Sequence, residues 1–132
     1  MYTGTADVML YVKDLDRSVR FWRDALGLRN AAFWSDDEHR YVPDFEKAGA
    51  PCYAVLDAGG FRVALHRSDE PVPAGGFYLH LEVRDVDEAF RSVRARGVEC
   101  GPPEDFPWGW RMFFVRDPDG HLVGLYTPRP GA

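Results

Sequence analysis

The chemistry open to this sequence rests first on Asp7, His66, His80 and Glu82. Imidazole and carboxylate together can act as general base and acid on a carbonyl compound. A His-His-carboxylate set can instead hold a divalent ion and leave positions open for substrate oxygens. His80 and Glu82 stand two residues apart in the run Leu79 to Val83, so a strand there turns both toward one face. A second group is aromatic: Phe33 and Trp34, Trp108 and Trp110, Phe114 and Tyr126, with Met112 among them. Ring faces with acids nearby suit a flat, positively charged molecule.

The elements that must position these residues come in two copies. Val8 to Val12 is a short apolar run, and Asp14 can cap the helix behind it. Leu15, Val19, Trp22 and Leu26 recur at intervals of four, three and four, one helix face, and Gly27 ends it. From Phe77 the pattern returns: Leu79 to Val83 alternates, Asp85 and Glu88 form a capping-box pair, Val86, Phe90 and Val93 line a helix, and Gly97 closes it. At an offset of 71, Leu10 falls on Leu81, Val12 on Val83, Asp14 on Asp85 and Asp16 on Asp87, the mark of an internal duplication. Each helix is followed by material for three strands. These are roughly Asn30–Ser35, Cys52–Asp57 and Phe61–Arg67 in the first copy, and Val98–Gly101, Arg111–Arg116 and His121–Thr127 in the second. Asp117-Pro118-Asp119-Gly120 is the turn joining the last two. The expected class is α+β, one domain over 1–132 built from two βαβββ modules, about 5–67 and 77–128, with 68–76 as linker.

A paired βαβββ unit carrying KDLDRSVRFWRDALGL near its start and FFVRDPDGHLVGLYTP at its end resembles the vicinal oxygen chelate superfamily. That superfamily includes glyoxalase I, bleomycin-resistance proteins, fosfomycin-modifying enzymes and extradiol dioxygenases. The resemblance implies that each module curls its sheet into half of an open barrel with the site inside. It also implies metal-ligand positions at Asp7, Tyr78 and Gly124, with a further one near Ala64. Asp, Tyr, Gly and Ala do not make a divalent metal site, so no metal and no cofactor is expected, and Gly124, where the enzymes carry glutamate, is expected to open room. Alternation from those positions puts Asp7, Met9, His66, Tyr78, His80, Met112, Phe114, Gly124 and Tyr126 on the inner face. Trp108-Gly109 precedes the Asp117 turn as in bleomycin-binding proteins, where the tryptophan helps to bind drug. The long aromatic and acidic connection from Ala32 to Phe45 adds Phe33 and Trp34.

Composition narrows the partners. The formal charge of −5 disfavours phosphate backbones and anionic membranes. Apolar residues at 45% and charged ones at 28% fit a soluble chain rather than a disordered one. Cys52 and Cys100, without close spacing or a leader ahead of them, read as buried thiols of a cytoplasmic protein. Aromatics at 14% exceed core demand, and with the exposed edges of half-barrel sheets they predict a homodimer. The reading favoured is metal-free binding and sequestration of a bulky aromatic, cationic small molecule such as an antibiotic, by a protein that is not an enzyme. One alternative is a metal-dependent lyase, isomerase or dioxygenase of that superfamily whose ligands have moved to Asp7, His66 and His80. Another is metal-free acid–base catalysis by Asp7 or Glu82 with His80.

Overall fold

Asp14 and Asp85 each open a helix that follows a short strand. The Asp14 carboxylate accepts a hydrogen bond from Arg17 N at 3.0 Å, and that of Asp85 accepts from Asp87 N and Glu88 N, both at 3.1 Å. Asp85→Ala is expected to cost about 1 kcal/mol, and Asp85→Asn a few tenths, in urea denaturation followed by circular dichroism. The computed structural model describes residues 1–57 and 59–130. The expected single-domain span also takes in Ala58, Gly131 and Ala132, which lie outside the described residues.

The chain divides into two compact units, Met1–Pro73 and Ala74–Ala132. In the first, β1 (Asp7–Val12) leads into α1 (Leu15–Val19), followed by β2 (Asn30–Ser35), β3 (Arg40–Val42), β4 (Tyr53–Asp57) and β5 (Arg62–Arg67). Its sheet has the order β1-β5-β4-β2-β3, with β1 parallel to β5 and the other pairs antiparallel. In the second, β6 (Leu79–Glu82) leads into α2 (Val86–Ala95), followed by β7 (Glu104–Asp105), β8 (Trp110–Arg116) and β9 (Leu122–Pro128). Its sheet has the order β6-β9-β8-β7, again with the first strand parallel to the last. The duplication is visible in register: Met9 pairs with Ala64 as His80 pairs with Gly124. Two sheets with few helices make this an α+β fold of two βαβββ units, the first carrying β3 as an extra short strand.

Each sheet buries one face under its helix. In unit 1, Leu10, Val63, Leu65, Ala54 and Leu56 are at most 3% exposed beneath Val19 and Trp22. In unit 2, Phe113, Val115, Val123 and Leu125 meet Val86 and Val93 of α2 in the same way. Burying such side chains is the main favourable term available to units this small.

Three local expectations are corrected. The first helix is α-helical only to Val19 and continues as a π-helix over Arg20–Ala25, with Leu26 N donating to Phe21 O at 3.0 Å. Leu26, at the end of the wider turn, is only half-buried, while Leu28 is 5% exposed and part of the core. Val98–Gly101 is not a strand. Gly97 leaves the helix at φ 91°, Val98 N bonds back to Val93 O at 3.3 Å, and Pro102 and Pro103 can donate nothing to a ladder, so pairing starts only at Glu104. Finally, the connection from Ala32 to Phe45 is partly ordered as the β2–β3 hairpin, where Trp34 pairs with Tyr41.

Candidate functional site

Strand parity sorts the side chains of unit 2. Phe113 turns toward α2, meeting Phe90 edge-on at 5.5 Å, while Trp110, Met112 and Phe114 turn the other way. The registers set Met112 opposite Tyr126, and Gly124 between Phe114 and His80. Trp110 and Tyr126 lie flat on one another, with centroids 3.6 Å apart and planes 12° from parallel. The His80 ring stands edge-on to Trp110 at 5.4 Å, and Tyr78 reaches both His80 at 6.5 Å and Phe114 at 6.4 Å. A depression of about 360 Å³ opens at Gly76, Phe77 and Tyr78. Burial, with Glu82 adding its charge, pushes the Tyr126 phenol above its ordinary range, so it stays a neutral donor.

Trp108 is held by the turn between β7 and β8. Phe106 N donates to Trp110 O at 2.8 Å and Gly109 N to Phe106 O at 3.1 Å, with Gly109 at φ 91°. Arg129 clamps this turn: its Nη2 donates to Phe106 O and its backbone N to Gly109 O, both at 2.7 Å. Trp108 stacks on Phe106 at 4.7 Å and is still 58% exposed, so one of its faces is open to a ligand. Phe106 also meets the edge of Phe114 at 6.2 Å, joining the turn to the sheet face. Sequence reading missed Phe106 and Arg129. The proline between Phe106 and Trp108 signals a turn, but nothing local shows that Arg129, twenty residues on, pins it.

In unit 1, the face turned away from the helix carries Asp7 and Met9 of β1 and His66 of β5, with Asp7 opposite Arg62 and Met9 opposite Ala64. Tyr11 pairs with His66 and His66 with Tyr53; continuing the β2–β4 register by one residue sets Trp34 beside Tyr53, and Trp34 pairs with Tyr41. Tyr11 and Tyr53 stand edge-on to His66, each at 5.7 Å, and Trp34 to Tyr41 at 5.2 Å. A row of rings thus crosses the five strands, of which Tyr11, Tyr53 and Tyr41 were not among the predicted binding residues. Burial pushes the Tyr53 phenol up, with Tyr41 and Asp7 adding to it. Phe33 is a correction. Neighbours on a strand point to opposite faces, so Phe33 cannot join Trp34; it is 1% exposed on the core side, edge-on to Phe45 at 5.5 Å. The depression of about 660 Å³ between Asp16, Arg23 and Pro43–Lys47 is lined mostly by charged side chains and contains none of the predicted residues.

The residues at the expected metal positions do not fit a divalent ion. Ala64 and Gly124 have no donor, and Ala64 is fully covered between Met9 and Val55. Gly124 opens no room either: a Cβ there would stand 3.1 Å from His80 Cδ2, 3.1 Å from Met112 Sδ and 3.3 Å from Phe114 Cε1. The neighbouring side chains have closed over the position. The alternative set of Asp7, His66 and His80 is not assembled. Asp7 and His66 lie four rungs apart on the β1–β5 ladder, about 13 Å at the usual strand rise, too far to share one ion. Among the described residues, no group of three or more His, Cys, Asp or Glu side chains is placed to hold a metal ion. Cys52 and Cys100 are free thiols, half-buried rather than fully buried as expected, and burial pushes the Cys100 thiol up, away from thiolate reactivity. No helix among the described residues is long and apolar enough to cross a membrane.

Comparison with known proteins places this geometry in context. Residues 4–125 match the profile of the Glyoxalase/Bleomycin resistance protein/Dioxygenase superfamily. The solved structure of TioX from Micromonospora sp. ML1 is 30% identical, with a TM-score of 0.71 over 94% of this chain and 98% of that one. The uncharacterized protein YraH of Bacillus subtilis is 28% identical over 90% of this chain and 94% of its own. A lactoylglutathione lyase of Haemophilus influenzae is 29% identical over 87% of this chain and 85% of its own.

Proposed function

The chain belongs to the glyoxalase/bleomycin resistance protein/dioxygenase superfamily, and from that membership we propose that it binds and sequesters a bulky, flat, cationic small molecule of antibiotic type without a metal ion. The observation that carries this reading is Trp108, half-exposed and backed by Phe106, at the margin of the Trp110–Tyr126–His80 ring face. A ring stacked on one side and open on the other is already ordered, so a ligand that stacks on it costs little further side-chain entropy. Glu82, exposed and opposite Tyr126, offers a negative charge on the same face, and the overall charge of −5 favours approach of a cation. The donorless positions Ala64 and Gly124 support binding rather than metal-assisted turnover.

Tryptophan-fluorescence titration with bleomycin-type, mitomycin-type and quinoxaline-type compounds tests this reading. Trp108→Ala is expected to weaken binding about tenfold, since one desolvated aromatic contact contributes about 1–2 kcal/mol. Glu82→Gln should weaken it less, and that loss should fade as salt rises, because exposed charges are screened. Trp110→Ala should act through the loss of a backing ring for Tyr126. Saturable quenching that is the same in Trp108→Ala as in wild type would overturn the assignment, as would turnover of a small α-keto or catecholic substrate. The protein is further proposed to work as a homodimer, with the edge strands β3 and β7 in support. A stable monomer by sedimentation at micromolar concentration would refute that.

A further inference from the structure

The His66 ring bonds to the backbone of its neighbour, and the direction of that bond follows from chemistry alone. Nδ1 lies 2.7 Å from the carbonyl oxygen of Arg67. A backbone carbonyl can only accept, so Nδ1 must carry the proton. In the neutral ring this leaves Nε2 as a lone-pair acceptor. The ring is held on both sides by the edges of Tyr11 and Tyr53, and the apolar rung of Met9, Ala64 and Val55 lies next to it on the same sheet face. Phenols and ring edges around the imidazole can donate or pack, but a fixed nitrogen lone pair offers the opposite preference.

We infer that His66 is a specificity-determining residue: its Nε2 accepts a hydrogen bond from an O–H or N–H group carried by a flat aromatic ligand lying along the ring row of unit 1. The inference goes beyond the ligand-binding reading above, which concerns the Trp108 face of unit 2, and does not rest on it. It selects a chemical class, hydroxylated or N–H-bearing planar aromatics, over the same skeletons with that group alkylated. Arg67 acts here only through its carbonyl, which sets the tautomer as a neighbouring group does for an imidazole that must present one particular nitrogen.

The test has two arms. Nitrogen-15 correlation spectra of the wild-type protein are expected to show the neutral His66 ring as the Nδ1–H tautomer; the Nε2–H tautomer would overturn the proposal without any variant. The second arm compares 2-naphthol with 2-methoxynaphthalene by fluorescence titration. Wild type is expected to prefer the naphthol by about fivefold, the discrimination of one neutral hydrogen bond. His66→Asn keeps a group that can donate to Arg67 O but is too short to place its acceptor oxygen at the Nε2 position, so the preference should vanish; His66→Gln places an acceptor near the Nε2 position and should retain part of it. Equal preference in wild type and His66→Asn, or no saturable binding of either probe, would overturn the proposal. If Trp108→Ala leaves antibiotic binding unchanged while the naphthol preference follows His66, the broader reading fails and this one stands. The reverse pattern removes this one alone.

Discussion

Trp22→Ala should be the most damaging single substitution in the chain, lowering stability by about 3–5 kcal/mol and the melting temperature on the order of 10–20 °C. Trp22 is 0% exposed and sits in the π-helical segment, with Phe21 edge-on at 5.9 Å. Truncation removes the transfer free energy of an indole and leaves a hole in a core that has few other large side chains on its helix. The π-helix limits repair. Leu26 N is tied to Phe21 O and Leu28 N to Trp22 O, and Leu28 is already packed in the core, so neither leucine is free to move into the gap. Chemical denaturation followed by circular dichroism measures the loss; a value under about 1.5 kcal/mol would mean the segment collapses onto the sheet more readily than its packing indicates.

Gly124→Glu restores the residue type that the enzymes of the superfamily carry, and it is expected to destabilise the protein by about 1–3 kcal/mol without creating a metal site. Gly124 does not have a positive φ, so the backbone tolerates a side chain and the cost is one of space. The new Cβ would press on the His80 ring, the Met112 thioether and the Phe114 ring edge at 3.1–3.3 Å. The carboxylate would then emerge beside buried Met112, where an unpaired charge is costly. Gly124→Ala should show the steric part alone and a smaller loss. Elemental analysis of Gly124→Glu after incubation with zinc, manganese or nickel is expected to find no stoichiometric ion. One equivalent retained would show that a carboxylate at this position can complete a metal site after all.

The parts of this fold that the sequence states plainly are those set by short-range chemistry. The capping aspartates, the glycines ending both helices and the Asn30–Ser35 strand all appear where spacing puts them. Parity was legible too, and it should have excluded Phe33, since two adjacent strand residues cannot share a face. What spacing does not encode is the π-helix: intervals of four, three and four describe its face as well as they describe an α-helix, and the change is one of hydrogen-bond register. Gly124 is the same kind of case. A glycine reads as a vacancy, yet whether it stays one depends on which neighbours can lean over it, and His80, Met112 and Phe114 come from the two strands that flank β9. The ring row through His66 depends on the order of five strands, which no local pattern specifies.

The parallel closure of each unit has a consequence for how the chain is made. β1 leaves the ribosome first but pairs with β5, whose Arg62 follows its partner Asp7 by 55 positions. At roughly 5–20 residues per second of synthesis, β1 waits on the order of 3–11 s before its partner strand exists. β6 waits in the same way for β9, with 44 positions between Leu79 and Val123. During that time α1 and the β2–β3 hairpin can form locally, while DVMLYV remains an unpaired apolar strand that other nascent chains can capture. Each unit therefore completes only when its last strand arrives, and slower translation through residues 13–61 lengthens the exposure of β1 rather than helping it fold.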